Sequence, residues 1–184
     1  MATILAISGS PSTVSRTRGV LQHVEARLRD DGHTVTSVAV RDLPAAPLLA
    51  GDKTDPAIRA VVDGIAAVDG LVVATPIYKA AYTGLLKALL DLLPQYAFAE
   101  KSVLPLATGG TTAHVLAIDY ALRPVLTSLG AAHVAQGYFV LDRFLTAADT
   151  GEIVIDPAAA TALFDIVDRF SWSLRAGRSL DPVG

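Results

Sequence analysis

The sequence predicts a doubly wound α/β sandwich with a five-stranded parallel sheet, and three observations support this prediction. Apolar strand patterns alternate with helical patterns five times along 184 residues, and such alternation builds parallel sheets with right-handed crossovers. Residues 70–74 carry no polar side chain, as expected for a strand that is buried on both faces. Loops rich in Gly, Ser, Thr or Pro follow strands one, three and four, at the sheet edge where such folds bind ligands.

Each element has a local signal in the sequence. Strands are predicted over residues 4–7, 34–40, 70–74, 102–107 and 134–141. The first helix is predicted to begin at Ser15 or Arg16 and to stop at residues 30–32, and the second is predicted to begin at Asp55 and Pro56. Three further helices are predicted over 83–93, 113–129 and 158–175, and in all five apolar residues recur three or four apart.

The remaining segments show no regular period. Residues 41–54 and 142–156 are predicted as loops, since they lack both the helical and the strand pattern. Gly137 is predicted to form a bulge within the fifth strand. The tail from about Gly177 is expected to fray.

Size and composition narrow the class of protein. A chain of 184 residues, 52% hydrophobic and 18% charged, is most simply one domain over residues 1–184. A net charge of −3 argues against nucleic-acid or membrane partners. The absence of cysteine removes disulfides and thiolate chemistry. No apolar run reaches the length of a membrane span, so a cytoplasmic protein is expected.

The loop after the first strand has the character of an anion site. It leads into the start of a helix, where unpaired N–H groups and the helix dipole favour negative charge. Further donors crowd this stretch: Ser8, Ser10, Ser12, Ser15, Arg16 and Thr17. A phosphate group is the predicted occupant. The alternative interpretation is that Ser15 only caps the helix and that the other hydroxyls face water.

Several phosphate-binding classes are excluded by missing residues. A phosphoacceptor receiver domain would require carboxylates at the strand ends, but the loops after strands one, three and four contain no Asp or Glu. The Gly-Lys-Ser/Thr of a P-loop and the three spaced glycines of a dinucleotide fingerprint are missing as well. A low-molecular-weight phosphatase would need a cysteine, and the histidines are too scattered for a metal site. A mononucleotide held by its phosphate remains, and FMN fits this description.

Three segments carry a family resemblance: GSP at 9–11 with SRT at 15–17, ATPIYKAAY at 74–82, and LATGGTTAH at 106–114. They resemble the NAD(P)H-dependent FMN reductases, and most closely the flavin reductases of alkanesulfonate monooxygenase systems. The similarity runs from about residue 4 to residue 140. It implies a flavodoxin-like fold, reduction of FMN by NADPH or NADH, and transfer of the reduced flavin to a partner monooxygenase that cleaves sulfonates.

The resemblance also implies a set of cofactor-binding residues. Those at the phosphate are Ser10, Ser15, Arg16 and Thr17; those along the ring and ribityl chain are Pro76, Ile77, Tyr78 and Lys79; those on the far side of the ring are Thr108, Gly109 and Gly110. The two glycines are expected to let the backbone approach the flavin without a Cβ in the way. Lys79 is alternatively a solvated surface charge. No catalytic side chain is expected, since hydride transfer needs mainly stacked rings. No metal is expected either, because the histidines lack metal-ligand spacing.

Some functional questions stay open at this level. A quinone or azo-compound reductase with tightly bound FMN would use the same loops, and a flavodoxin-type electron carrier is a non-enzymatic alternative. The sequence leaves the choice between NADPH and NADH open. His114 is either a nicotinamide contact or a structural hydrogen-bonding group.

The helix predicted over residues 113–129 is apolar around most of its circumference, which favours a homodimer or homotetramer that buries it. Pro124 is expected to kink it or force a bulge, and Asp119 and Arg123 are spaced to pair. By resemblance, Tyr120 matches a tyrosine associated with a π-type insertion at a subunit interface; the alternative is packing within one chain. Leu122 and Val125 are expected at the interface.

Overall fold

A computed structural model describes residues 1–178, in which one mostly parallel sheet lies between two layers of helices. The strands are β1 (Thr3–Ser8), β2 (Thr34–Ala39), β3 (Gly70–Tyr78), β4 (Ala81–Tyr82), β5 (Ser102–Gly109), β6 (His133–Val134), β7 (Tyr138–Leu141), β8 (Leu145–Ala147) and β9 (Ile153–Ile155). The helices are α1 (Arg16–Asp30), α2 (Ala45–Ala50), α3 (Pro56–Ala66), α4 (Gly84–Leu90), α5 (Arg123–Ser128) and α6 (Pro157–Arg178). Most of the tail that was expected to fray lies outside the described residues.

The strand order confirms the predicted doubly wound sheet. It runs β2-β1-β3-β5, followed by β6 and β7 in the fifth position, and all of these pairs are parallel. The order reverses direction beside β1, so the carboxyl ends of β1 and β3 open onto a crevice. The short β4 adds an antiparallel hairpin to the end of β3.

The core divides into two layers because successive residues of each strand face opposite sides of the sheet. On β1, Ile4 and Ala6 pack with α1 and α6, whereas Leu5 and Ile7 pack with α3 and α4. The strands in the middle of the sheet are buried on both faces, as the apolar run in β3 predicted.

The fifth strand is interrupted by the predicted bulge. Val103 pairs with Val134, but Leu106 pairs with Tyr138, so one extra residue lies on the outer strand. Pro105 has no N–H for this ladder. Gly137 is required there, because a Cβ would lie 2.9 Å from the carbonyl oxygen of Pro105.

Three segments differ from the prediction. Residues 75–78, expected as a loop, continue β3 and turn into β4. The stretch 41–54 contains α2, since its prolines lie at the cap and in the first turn, where no N–H is needed, and Leu48 is buried. The stretch 142–156 contains the β8–β9 hairpin, and Ile153 of this hairpin packs against Gly19 of α1. These short elements lack the repeats that reveal longer ones.

The long helix predicted over residues 113–129 is wrong in its continuity. The chain forms a 3₁₀ turn at Thr112–His114, a π-helical turn at Ile118–Leu122, and only then α5. The N–H of Arg123 donates to the carbonyl of Ile118, five residues back, next to Pro124. The expected bulge at this proline is therefore present.

The predicted pair within this segment is also present. Arg123 Nε donates to Asp119 Oδ1 at 2.9 Å, and the same guanidinium donates to the carbonyls of Val134 and Ala135 at the start of the fifth strand. These contacts fix the π-helical turn to the sheet edge. Within residues 1–178, no helix is both long and apolar enough to cross a bilayer.

Candidate functional site

A cleft of about 290 Å³ opens at the carboxyl edge of the sheet, where β1, β3, β5 and β7 end. Its lining residues come from four separate segments: Ser10, Ser12, Val14, Ser15, Arg16, Thr17, Pro76, Ile77, Tyr78, Thr108, Gly109, Gly110 and Asp142. The loops that were predicted to converge on one site do converge.

All of the predicted site residues except Lys79 line this cleft. Lys79 is exposed and, with Ala80, occupies the two-residue turn between β3 and β4, where both residues have positive φ. A two-residue turn with positive φ values matches the twist of the two strands that it joins. The structure therefore separates Lys79 from the other residues and agrees with its interpretation as a surface charge.

Residues 9–17, here named the phosphate loop, are held by their own hydroxyl groups. Ser15 caps α1, because its Oγ accepts from the N–H of Arg18 at 3.1 Å. The buried Ser10 Oγ accepts from the N–H of Ser12 at 3.3 Å. A hydroxyl that accepts in this way still carries a hydrogen to donate. Capping by Ser15 is thus compatible with its donating to an anion in the cleft.

A buried hydrogen bond joins the phosphate loop to the loop after β5. The hydroxyl oxygens of Thr17 and Thr108 lie 2.6 Å apart, and both side chains are almost fully buried. One hydroxyl donates to the other, so one of the two hydrogens remains available at the cleft. Two segments far apart in sequence are thereby held in register around one space.

A second set of hydrogen bonds fixes the phosphate loop to α4, and the sequence analysis did not single it out. Thr83 caps α4 by accepting from Leu86 N–H, and its Oγ1 donates to the carbonyl of Gly9 at 2.6 Å. Thr75 Oγ1 accepts from the N–H of Thr83. A threonine at the start of a predicted helix is a preferred N-cap residue, and this was the signal in the sequence for a structural role of Thr83. These buried threonines position the loop without lining the cleft.

The two glycines after β5 have different roles. A Cβ on Gly109 would lie 2.8 Å from Phe139 Cζ, so this glycine allows β5 to pack against β7. A Cβ on Gly110 would meet only Asp142 Oδ2, at 3.8 Å. The expectation of an open face toward a ligand therefore fits Gly110, whereas the missing side chain of Gly109 is explained by packing.

Asp142 is a cleft residue that the sequence analysis missed. It follows β7, and its Oδ2 lies 3.8 Å from Arg16 Nη1 across the cleft. The stretch after the fifth strand was expected to be an irregular loop, so the rule applied to strands one, three and four was not applied there. That rule places the end of every parallel strand at the same edge.

His114 and Tyr120, for which the sequence allowed two roles each, do not line the cleft. His114 is half-buried, and its ring makes no hydrogen bond within the described residues. Tyr120 is 79% exposed, which rules out packing inside one chain. Leu122, expected at an interface, is fully buried in the core. Ala117 and Ile118 pack against Ile77, which lines the cleft.

Comparisons with known proteins agree on one activity. The family model described as NADPH-dependent FMN reductase matches residues 2–146. An FMN reductase (NADPH) of Pseudomonas putida is 42% identical over 172 residues, which are 93% of this chain and 87% of the relative. An FMN reductase (NADPH) of Escherichia coli K12 is 43% identical over 139 residues, or 76% of this chain and 73% of the relative.

A solved structure gives the same result for the fold. The apo form of an NADH:FMN oxidoreductase (EMOB) superposes with a TM-score of 0.84 at 44% identity, covering 94% of this chain and 90% of that chain. The flavodoxin-like fold expected from the motifs is confirmed. The two relatives are named for NADPH and this structure for NADH, so both nicotinamide nucleotides occur as reductants among the proteins that this chain resembles.

Proposed function

Because the chain belongs to the NADPH-dependent FMN reductase family and reduces FMN with NADPH or NADH, we propose that it releases the reduced flavin to a partner monooxygenase that cleaves sulfonates. The motifs quoted above support this, since they most closely resemble the reductases of such systems. In this role FMN is a substrate that binds and leaves rather than a permanently held group.

One observation carries the assignment of the site: three loops rich in hydroxyl and backbone donors meet at one sheet edge beside the start of α1. We assign the flavin phosphate to Ser10, Ser15, Arg16 and Thr17. The hydroxyls donate to phosphate oxygens, the first turn of α1 adds N–H groups, and the guanidinium adds a charge-assisted bond.

The remaining lining residues form two walls for the flavin ring. Pro76, Ile77 and Tyr78 form one, and Thr108 with Gly110 the other. Bound FMN accepts a hydride from the nicotinamide, so the chain's part is to hold two rings in contact and exclude water. Backbone N–H groups in these walls are suited to hydrogen-bond the ring edge and stabilise the charge that it gains.

The size of the cleft is compatible with exchangeable flavin. The volume of about 290 Å³ lies just below the roughly 300–1,000 Å³ typical of small-molecule sites. One chain therefore encloses only part of a flavin, and the rest of the ring remains open to nicotinamide or to a second subunit. A flavin that one chain leaves partly uncovered can enter and leave without a large rearrangement of the cleft.

Assembly into a homodimer or homotetramer is part of the proposal. Residues 112–122, here named the π segment, expose three apolar side chains: Val115 at 41%, Leu116 at 60% and Tyr120 at 79%. Exposed apolar residues that cluster in this way are typical of protein–protein contacts. Since the inner side of the π segment packs against Ile77, a subunit bound there would extend the wall of the cleft.

Steady-state turnover tests the proposal. Under anaerobic conditions, the protein is mixed with NADPH or NADH and excess FMN, and the loss of oxidised-flavin absorbance is monitored. Repeated turnover of free FMN supports a flavin reductase. Turnover only when a quinone or azo compound is added, with flavin retained through gel filtration, would replace the proposal with a tightly bound FMN enzyme.

A further inference from the structure

Asp142 places a negative charge in a cleft assigned to a negatively charged ligand. Its Oδ2 lies 3.8 Å from Arg16 Nη1, and the same oxygen is the nearest atom to the open side of Gly110. Arg16 and Asp142 are the charged side chains that line the cleft. The carboxylate therefore faces the cation on which phosphate binding depends.

The Arg16–Asp142 ion pair is weak enough for a phosphate to replace the carboxylate. The side chains of Arg16 and Asp142 are 56% and 35% exposed, and pairs this exposed contribute little to stability. The distance is also longer than a direct charge-assisted hydrogen bond. Arg16 is thus held near Asp142 without being committed to it, and a phosphate can take over the guanidinium.

We propose that Asp142 is an affinity-setting residue that competes with the flavin phosphate for Arg16 and so keeps FMN exchangeable. This inference rests on the proposed function, in which the phosphate lies at Arg16 and the flavin leaves after reduction. A phosphate monoester carries about 1.5 to 2 negative charges near neutral pH. Its approach both displaces the carboxylate from Arg16 and brings like charges together, and both effects weaken binding.

The competition is specific for flavins that carry a phosphate. Riboflavin has the same ring and ribityl chain but no phosphate, so its binding leaves the Arg16–Asp142 pair in place. A carboxylate that instead acted on the ring near Gly110 would change the affinity for both flavins. The ratio of the two affinities therefore separates the two roles.

The test compares Asp142→Asn with the wild type and with Asp63→Asn. Asp63 is an exposed residue of α3 outside the cleft lining, so the control removes the same charge elsewhere. Dissociation constants for FMN and for riboflavin are measured by fluorescence titration, and the FMN release rate by stopped flow. We expect Asp142→Asn to bind FMN about three- to tenfold more tightly and to release it more slowly. The riboflavin affinity of Asp142→Asn should equal that of the wild type, and Asp63→Asn should bind both flavins as the wild type does.

The same substitution in an Arg16→Gln background tests the route of the effect. If Asp142 acts by competing for Arg16, the gain from Asp142→Asn falls to less than half. An undiminished gain in that background, an equal gain for riboflavin, or an unchanged FMN affinity in the single variant would each overturn the inference.

These outcomes are distinguishable from failure of the proposed function itself. In that case the wild-type protein would not turn over free FMN, whatever Asp142→Asn did to the dissociation constants. Circular dichroism of each variant confirms that it is folded before affinities are compared.

Discussion

The phosphate loop and the π segment flank the same cleft but are stabilised in opposite ways. The phosphate loop buries Ser10 and Thr17, and its hydroxyls are tied to nearby backbone and to Thr108. The π segment exposes Leu116 and Tyr120 and leaves regular α-helical geometry. The first is shaped by contacts that are complete within one chain. The second has an outer surface that one chain does not cover, and the proposed subunit contact rests on this exposure.

The largest effect should come from breaking the π segment on its inner side. Leu122→Glu places an unpaired carboxylate in a fully buried position, which costs at least about 3 kcal/mol of unfolding free energy. Tyr120→Ala, on the outer side, should change the stability of the folded protomer by no more than about 0.5 kcal/mol while reducing its assembly. Urea unfolding and sedimentation velocity measure the two properties.

Because Leu122 is buried in the core, the proposed interface is tested at the exposed Tyr120. The π segment is not an interface if the wild type is monomeric at micromolar concentration, or if Tyr120→Ala keeps the mass of an oligomeric wild type. If Leu122→Glu remains folded with normal stability, Leu122 does not contribute to the core.

The phosphate loop should be sensitive in ligand affinity rather than in folding. Arg16→Gln removes a charge-assisted bond worth about 1.5–3 kcal/mol, so FMN affinity is expected to fall by about tenfold or more. Riboflavin affinity should be unaffected, and so should unfolding, because Arg16 is 56% exposed. Arg59→Gln on α3, also exposed, is the matched control. Equal losses for both flavins would contradict the phosphate assignment.

The link between the two cleft loops should be visible in stability. Thr17→Val leaves the buried hydroxyl of Thr108 without its partner, at an expected cost of about 1–3 kcal/mol. The double variant with Thr108→Val removes both groups and should be no less stable than the single one. Additive losses in urea unfolding would show that the two threonines act independently.

A smaller effect is expected at the amino edge of the sheet, opposite the phosphate loop. There pH should change the stability of the folded protein through His33. His33 accepts from the N–H of Ala2 and lies 2.8 Å from Ser171 Oγ. Burial, with a further contribution from Arg175, holds its pKa below the ordinary 6.5. The unfolded chain therefore binds the proton first, and stability should fall as pH decreases from about 6.5 toward the lower folded pKa.

Thermal unfolding between pH 7.5 and pH 5 measures this dependence. In His33→Gln the decline should be shallower, because the group that takes up the proton on unfolding is gone. An identical pH dependence in the variant would assign the effect to other groups.

The features that the sequence predicted most reliably are those set by local rules. Ser15 and Asp55 cap the helices that begin after them, and the apolar run at residues 70–74 forms the strand at the centre of the sheet. The predicted cleft residues come together because the ends of parallel strands share one edge. Lys79 is absent from the cleft lining, because β3 runs on into a hairpin and Lys79 lies in its turn.

The sequence by itself therefore determined the order of strands and helices, the edge at which the loops meet, and the family to which the chain belongs. Periodicity, caps and short motifs are properties of neighbouring residues, so they can be read without coordinates. Only the tertiary structure decided that Gly109 faces Phe139, that Leu122 is buried beside an exposed Tyr120, and that Asp142 lies across from Arg16. Each depends on which distant segments pack together, and local spacing contains no signal for that.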